Sequence, residues 1–220
     1  MRMLACVMVV LVCALLVSSN QWSAAQAVRG GARNTEQKKE PAPKPVAIED
    51  GEAELTPKNT TIQFVGTHVG PRPDPRTGYF TKFTGALVVD AATKAPSAAT
   101  VEIETGSLIT PIARLTGHLQ SPDFFEVRRY PKATFQSKTI EAVDADRGTY
   151  KITGDLTIRE EKKTLSFPAK VRIDDAGVLL ASQFKIKRSD FGMTFGPDRV
   201  VDDVEMTVTV GKPTPKVKAE

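Results

Sequence analysis

Apolar side chains recur at every second position in about eight separate stretches between residues 60 and 210, and this period constrains the fold more than any other feature. Ile62, Phe64 and Gly66 share one parity, as do Phe83, Gly85, Leu87 and Val89, and then Val101, Ile103 and Thr105. Phe135 opens a further stretch, followed by Tyr150 to Ile158, Leu165 to Ile173 and Val178 to Ile186. Val204, Met206, Val208 and Val210 close the series against Glu205, Thr207 and Thr209. Neighbouring side chains of a strand point to opposite faces, so the period describes antiparallel strands with one buried face. Asp144–Gly148 and Asp174–Gly177 carry the residues of hairpin turns. A meander of about eight strands curls into an up-and-down barrel because closure removes its exposed edges. Such a barrel is either filled by its own side chains or holds one small ligand. A two-sheet sandwich is the alternative packing.

The alternation breaks at Gly117-His118-Leu119-Gln120-Ser121-Pro122-Asp123-Phe124-Phe125-Glu126-Val127. Ser121 suits an N-cap, Pro122 the first helical position and Asp123 the positive end of a helix dipole. The pattern predicts one short helix near residues 121–129, ended by Tyr130-Pro131. With Phe124 and Phe125 on it, the helix reads as a plug across one end of a barrel or as a plain connector.

The ends differ from the middle. Met1-Arg2, the apolar run Leu4 to Val17 and the small-residue pattern at Ser23–Ala27 have the build of a secretory signal peptide over 1–25. The run falls short of the roughly 20 residues that span a bilayer. The expected location is therefore periplasmic or extracellular. Both cysteines, Cys6 and Cys13, fall within that segment, so the exported domain must be held by its core. Residues 26–54 are rich in Pro, Lys, Glu and Ala and are expected to form a disordered tether. The β-domain is expected over 55–211, with a flexible basic tail over 212–220.

The formal charge is +4, and both signs intersperse along the domain without a basic stripe, which argues against nucleic-acid binding. Lysines on the ends give a weak, unspecific attraction to an anionic membrane surface. His68 and His118 are the only histidines, about fifty residues apart, and supply no metal-ligand pattern. No Gly-x-Ser-x-Gly elbow or phosphate loop occurs. The sequence reads as non-catalytic, without a cofactor.

Four motifs add a resemblance. His-Leu-x-Ser-Pro-Asp-Phe-Phe (118–125), Tyr-Pro-x-Ala-Thr-Phe-x-Ser (130–137), Thr-Gly-Asp-Leu-Thr-Ile-Arg (153–159) and Arg-Ser-Asp-Phe-Gly (188–192) resemble the YceI-like family in order and spacing. Ile-Gln-Phe-Val-Gly-Thr (62–67) and Phe-x-Lys-Phe-Thr-Gly (80–85) resemble its opening strands. The resemblance implies an exported, lipocalin-like extended antiparallel β-barrel with a long apolar channel. It also implies binding of a polyisoprenoid or other long-chain lipid, and frequent pairing into homodimers. Two departures stand out: Glu160-Glu161 where relatives have Gly and an apolar residue, and Leu115-Thr116 where many have Arg-Asp. The Gly-x-Trp signature of true lipocalins is absent, so likeness to them is architectural.

On this reading Phe64, Leu87, Phe135, Leu156, Phe184 and Ile186 line the channel, with Phe124 and Phe125 closing one end. His118, Arg188 and Asp190 form a polar mouth. Arg188 shares the apolar parity of Phe184 and Ile186, and an inward arginine needs a partner. Asp190, Asp155 or a ligand head group is expected to supply it, unless a bulge turns Arg188 outward. The expected function is to hold a hydrophobic small molecule or lipid. The alternative is a filled barrel acting as a structural or protein-interaction module.

Overall fold

The computed structural model describes residues 42–217, which fall within a single compact unit, Pro41–Glu220. The expected signal peptide and most of the expected tether lie outside the described residues. Eleven antiparallel strands form one sheet. They are β1 (Glu52–Leu55), β2 (Thr60–His68), β3 (Asp74–Phe80), β4 (Phe83–Asp90), β5 (Ala95–Glu104), β6 (Leu108–Ile109), β7 (Lys132–Asp144), β8 (Thr149–Ile158), β9 (Glu161–Asp174), β10 (Gly177–Lys187) and β11 (Asp203–Val210).

Eleven reduce to eight when chain continuity is followed. β2 pairs with β3 and β1 pairs with β4, so β1–β2 and β3–β4 are two long strands, each bent once in the middle. β5 and β6 make a third, pairing with β4 and β3 in turn. At the bends the ladder slips. Gln63 faces Tyr79 above the break and Ala53 faces Leu87 below it, and Phe83–Ile103 gives way to Tyr79–Ile109. Such irregularities turn barrel corners. The Thr81 amide and hydroxyl both donate to the Ser107 carbonyl, and the Ser107 hydroxyl donates to Glu104 O and Lys82 O, so the second corner stays hydrogen-bonded. From β5 the ladder runs β7, β8, β9, β10, β11 and back to β2. The ring thus has the expected eight strands, and the edges that a meander would expose are paired.

The helix is displaced from its expected place. Residues 121–129 form consecutive turns, and α1 is Ala113–Gln120, immediately before them. Ser121 is its C-cap rather than an N-cap, with an extended backbone at ψ 172°. Pro122 excludes helical conformation from the residue ahead of it, so Ser-Pro ends a helix here instead of starting one. The turns are closed by Phe125 N–H to Leu119 O and Glu126 N–H to Ser121 O.

The ends are more ordered than composition suggests. Val46 is buried and exchanges both backbone hydrogen bonds with Val178, and the Lys44 amide donates to Gly211 O. This approach requires Gly177, whose φ is +125° and on which a Cβ would stand 2.0 Å from Val46 O. The tether expected over 26–54 therefore ends as a strap and a strand from residue 44 on. In the tail, Thr61 donates to the carbonyls of Lys212 and Pro213, and Thr214 N–H donates to Pro57 O, so residues 212–214 are docked.

Two apolar clusters fill the ring at different heights. One gathers Val46, Leu55, Leu87, Phe167, Val178 and Val210, the other Ile62, Phe80, Leu108, Phe124 and Phe191. Fully buried members such as Leu87 and Phe191 each contribute roughly 1.5–3 kcal/mol relative to exposure.

Candidate functional site: a two-chambered interior

The inward side chains pack in these two clusters without filling all the space inside the ring. They enclose two chambers. The first lies under α1 and the 121–130 turns and has a cavity volume of about 150 Å³, or about 1120 Å³ when all atom-free space out to its mouth is counted. The second lies toward the Val46 strap, with a cavity volume of about 110 Å³ and about 780 Å³ of atom-free space. Drug-sized ligands occupy pockets of roughly 300–1,000 Å³.

Every expected apolar lining residue reaches one chamber or the other. Phe64, Phe124, Phe125 and Ile186 border the outer chamber, Leu87, Phe135 and Phe184 the inner one, and Leu156 both. Aromatic contacts stiffen the walls. Phe64, Phe80 and Phe125 pack with centroids 5.5–6.5 Å apart in the outer chamber, and Phe64 lies over Gly78, where a Cβ would collide with its ring. In the inner chamber Phe167 stacks on Phe184 at 4.2 Å and 11° and meets Phe135 at 5.6 Å. Ser182 is the one inner-chamber lining residue with a polar side chain, and its hydroxyl is spent on Pro168 O at 2.6 Å. That chamber therefore offers a guest dispersion and desolvation only.

Polarity is confined to the outer end. Thr67, His68, Arg76, His118 and Arg188 border the outer chamber, and His68, Arg76, Arg114 and His118 frame the surface hollow outside it. His118 sits on the last turn of α1. Its Nε2 is 2.9 Å from Asp123 Oδ2, and its ring stands edge-on to Phe124 and Phe195 at 5.0 and 4.9 Å. Arg76 pairs with Asp74. The ring closure brings His68 and His118 to one mouth although about fifty residues separate them. Among the described residues no group of three metal-ligating side chains accompanies them.

Arg188 points inward and is 4% exposed, but its partners are not carboxylates. Nη1 donates to Met193 O at 2.7 Å, Nη2 to Val200 O at 3.0 Å and Nε to Val201 O at 3.3 Å. The guanidinium thereby holds the 193–201 loop across the end of β10. The parity argument for Asp190 fails because β10 ends at Lys187 and residues 188–191 form a 3-10 turn, which turns Asp190 out to solvent. Asp155 is engaged with Lys138 at 2.6 Å and Thr164 at 2.6 Å. Asp202 takes up the charge more remotely. Burial opposes its ionisation, but hydrogen bonds from the Ser189 hydroxyl and amide, with the Arg188 charge, hold its carboxyl below the ordinary aspartate value.

Sequence parity missed His68, Arg76 and Arg114. His68 and Arg76 sit at facing ends of β2 and β3, and Arg114 on α1, so only the assembled mouth relates them. The small signal available was the Pro-Gly-rich stretch Gly70–Pro75, which marks the β2–β3 connection as the rim.

Known proteins share this architecture. A UPF0312 protein of Vibrio cholerae is 36% identical over 93 residues, 42% of this chain and 48% of that one, so the chain spans about half the length of this relative. The YceI protein of Escherichia coli is 31% identical over 141 residues, covering 60% of this chain and 71% of that one. The crystal structure of Burkholderia cenocepacia BcnA superposes with a TM-score of 0.61 at 26% identity, over 69% of this chain and 94% of that one. A polyisoprenoid binding domain from Saccharophagus degradans, implicated in plant cell wall breakdown, shares the fold with a TM-score of 0.54 at 16% identity, over 70% of this chain and 94% of that one. The model of the YceI-like domain matches residues 54–211, the span from β1 to the end of β11, and the chain belongs to the YceI-like family.

Proposed function

We propose that this protein is a non-catalytic exported carrier that holds a long-chain apolar amphiphile of the isoprenoid type, tail inward and head group at the mouth. The observation that carries the reading is the interior itself: two apolar chambers that share three lining residues, the inner one without a free polar group, with His68, Arg76, Arg114 and His118 gathered at the outer end. Each methylene moved from water into such a lining is worth about 0.8 kcal/mol, so about ten carbons supply several kcal/mol without directional contacts. A fold neighbour described as a polyisoprenoid binding domain supports the same ligand class. A filled barrel acting only through its outer surface would not leave this space open.

Solvent extraction of the purified full chain, with native mass spectrometry, tests the reading. About one equivalent of a long-chain lipid per protein, or displacement of an apolar fluorophore by prenyl alcohols, is the expected result. No extracted lipid and no displaceable probe would remove the carrier role. Export is tested by fractionation and N-terminal sequencing, with a mature terminus after Ala25 or Ala27 expected. Sedimentation tests whether two copies pair, and vesicle flotation at two salt concentrations tests the weak membrane attraction.

A further inference from the structure

We propose that Met206, with Ile103 and Leu156, forms a movable waist that sets how long a chain the interior accepts; the inference rests on the lipid-holding reading. Among the described residues, these three are the only ones that border both chambers. They come from β5, β8 and β11, strands spread around the eight-membered ring, so together they collar the channel instead of lining one wall. On β11, Met206 faces Phe64 of the outer chamber on one side and Phe184 of the inner chamber on the other. Beyond the waist, the inner-chamber residues Leu55, Leu87, Leu180 and Val210 pack in one cluster with Val46 and Val178. The polar mouth borders the outer chamber alone, so a chain entering there meets the waist before the inner chamber.

The residue types suit a gate. Ile103 is β-branched and stiff at χ1, whereas Met206 has an unbranched side chain that repacks at little cost. A short chain is housed in the outer chamber and need not displace the waist. A long chain must displace the Met206 side chain to reach the inner chamber. Length discrimination then resides in one side chain, apart from the polar contacts at the mouth.

The test uses the full chain, a displaceable apolar fluorophore, and prenyl alcohols of about 10 and about 40 carbons, whose affinities scale with buried apolar area. Met206→Trp narrows the waist and Met206→Ala widens it, with thermal melting as a check on folding. In Met206→Trp, binding of the short alcohol is expected to stay within about twofold while the long one weakens by at least about tenfold, from the lost inner-chamber contacts. In Met206→Ala the long alcohol is expected to bind at least as well as in the wild type. Should Met206→Trp fail to fold, Leu156→Phe serves as the narrowing variant. Equal effects on both lengths, or none on either, would overturn the waist and leave the carrier reading standing. Failure of the wild-type chain to bind either alcohol would overturn both.

Discussion

Replacing Arg188 by Met tests whether the buried guanidinium is a structural clamp or a head-group ligand. The substitution keeps an apolar stem and removes three charge-assisted donors, at 2.7, 3.0 and 3.3 Å from carbonyl oxygens. Hydrogen bonds involving a charged group contribute about 1.5–3 kcal/mol each, and the longest of the three belongs at or below the low end. Relief from burying a charge offsets part of the loss. The expected net cost is about 3 kcal/mol. In a domain of this size about 1 kcal/mol corresponds to roughly 2–4 °C, so the melting midpoint should fall by roughly 6–12 °C. Urea denaturation gives the free energy directly. A paired titration with neutral and anionic amphiphiles of equal chain length gives the binding side. Because its donors are occupied by Met193, Val200 and Val201, both ligands should weaken alike, through loosening of the 193–201 loop. A loss below about 1 kcal/mol, with selective weakening of the anionic ligand, would refute the clamp.

Three further outcomes are expected. Phe184→Glu should abolish binding of apolar probes and lower stability by several kcal/mol, since it sets an unpaired carboxylate in the inner chamber; Phe184→Leu, read by the same titration and melt, should bind nearly normally and cost about 1 kcal/mol through the lost stack on Phe167. Arg159 and Glu160 form the two-residue β8–β9 turn with φ values of 51° and 69°, so Glu160→Gly should raise the urea midpoint, with a gain of about 0.5–1 kcal/mol. Asp202 has its carboxyl pKa lowered below 3.8 on folding, so it stabilises the fold above that value and loses the contribution as pH falls through its folded pKa; Asp202→Asn should flatten the acid limb of stability below about pH 4, and an unchanged limb would deny it that role.

The period of two made the barrel legible because it records which face of each strand is buried, a property fixed by the pleat and not by topology. It also placed the six strand-borne lining residues, Phe64, Leu87, Phe135, Leu156, Phe184 and Ile186, on the inward face. Parity stops being informative where the backbone leaves the strand. Asp190 shares parity with Arg188, yet the 3-10 turn after Lys187 sends the two side chains to opposite environments. The bends at Thr56–Asn59 and Thr81–Lys82 are likewise silent in the pattern, because apolar alternation resumes on either side of each slip. Ser121-Pro122 carries a local preference compatible with either end of a helix. Leu115 and Leu119, one turn apart and both facing the outer chamber, decide for the upstream side. The Lys44–Ile48 strap escaped notice because its composition is that of a linker; only the alternation of Val46 and Ile48 hinted at pairing, and both pack on the inner cluster.

An interior left unfilled has an energetic consequence. Space that side chains leave unfilled forfeits dispersion contacts along its lining. No disulfide is available in the described residues to offset this. The ring does so instead. Its ladders run through every neighbouring pair of strands, and their hydrogen bonds are made by the backbone whatever the side chains do. The Val46 strap, the docked 212–214 segment and the Arg188 clamp then fix the two ends. With closure secured this way, the inner faces need only be apolar and smooth and need not interdigitate. A guest that fills the chambers recovers the forfeited contacts, so affinity for a chain and stability of the barrel draw on the same surface.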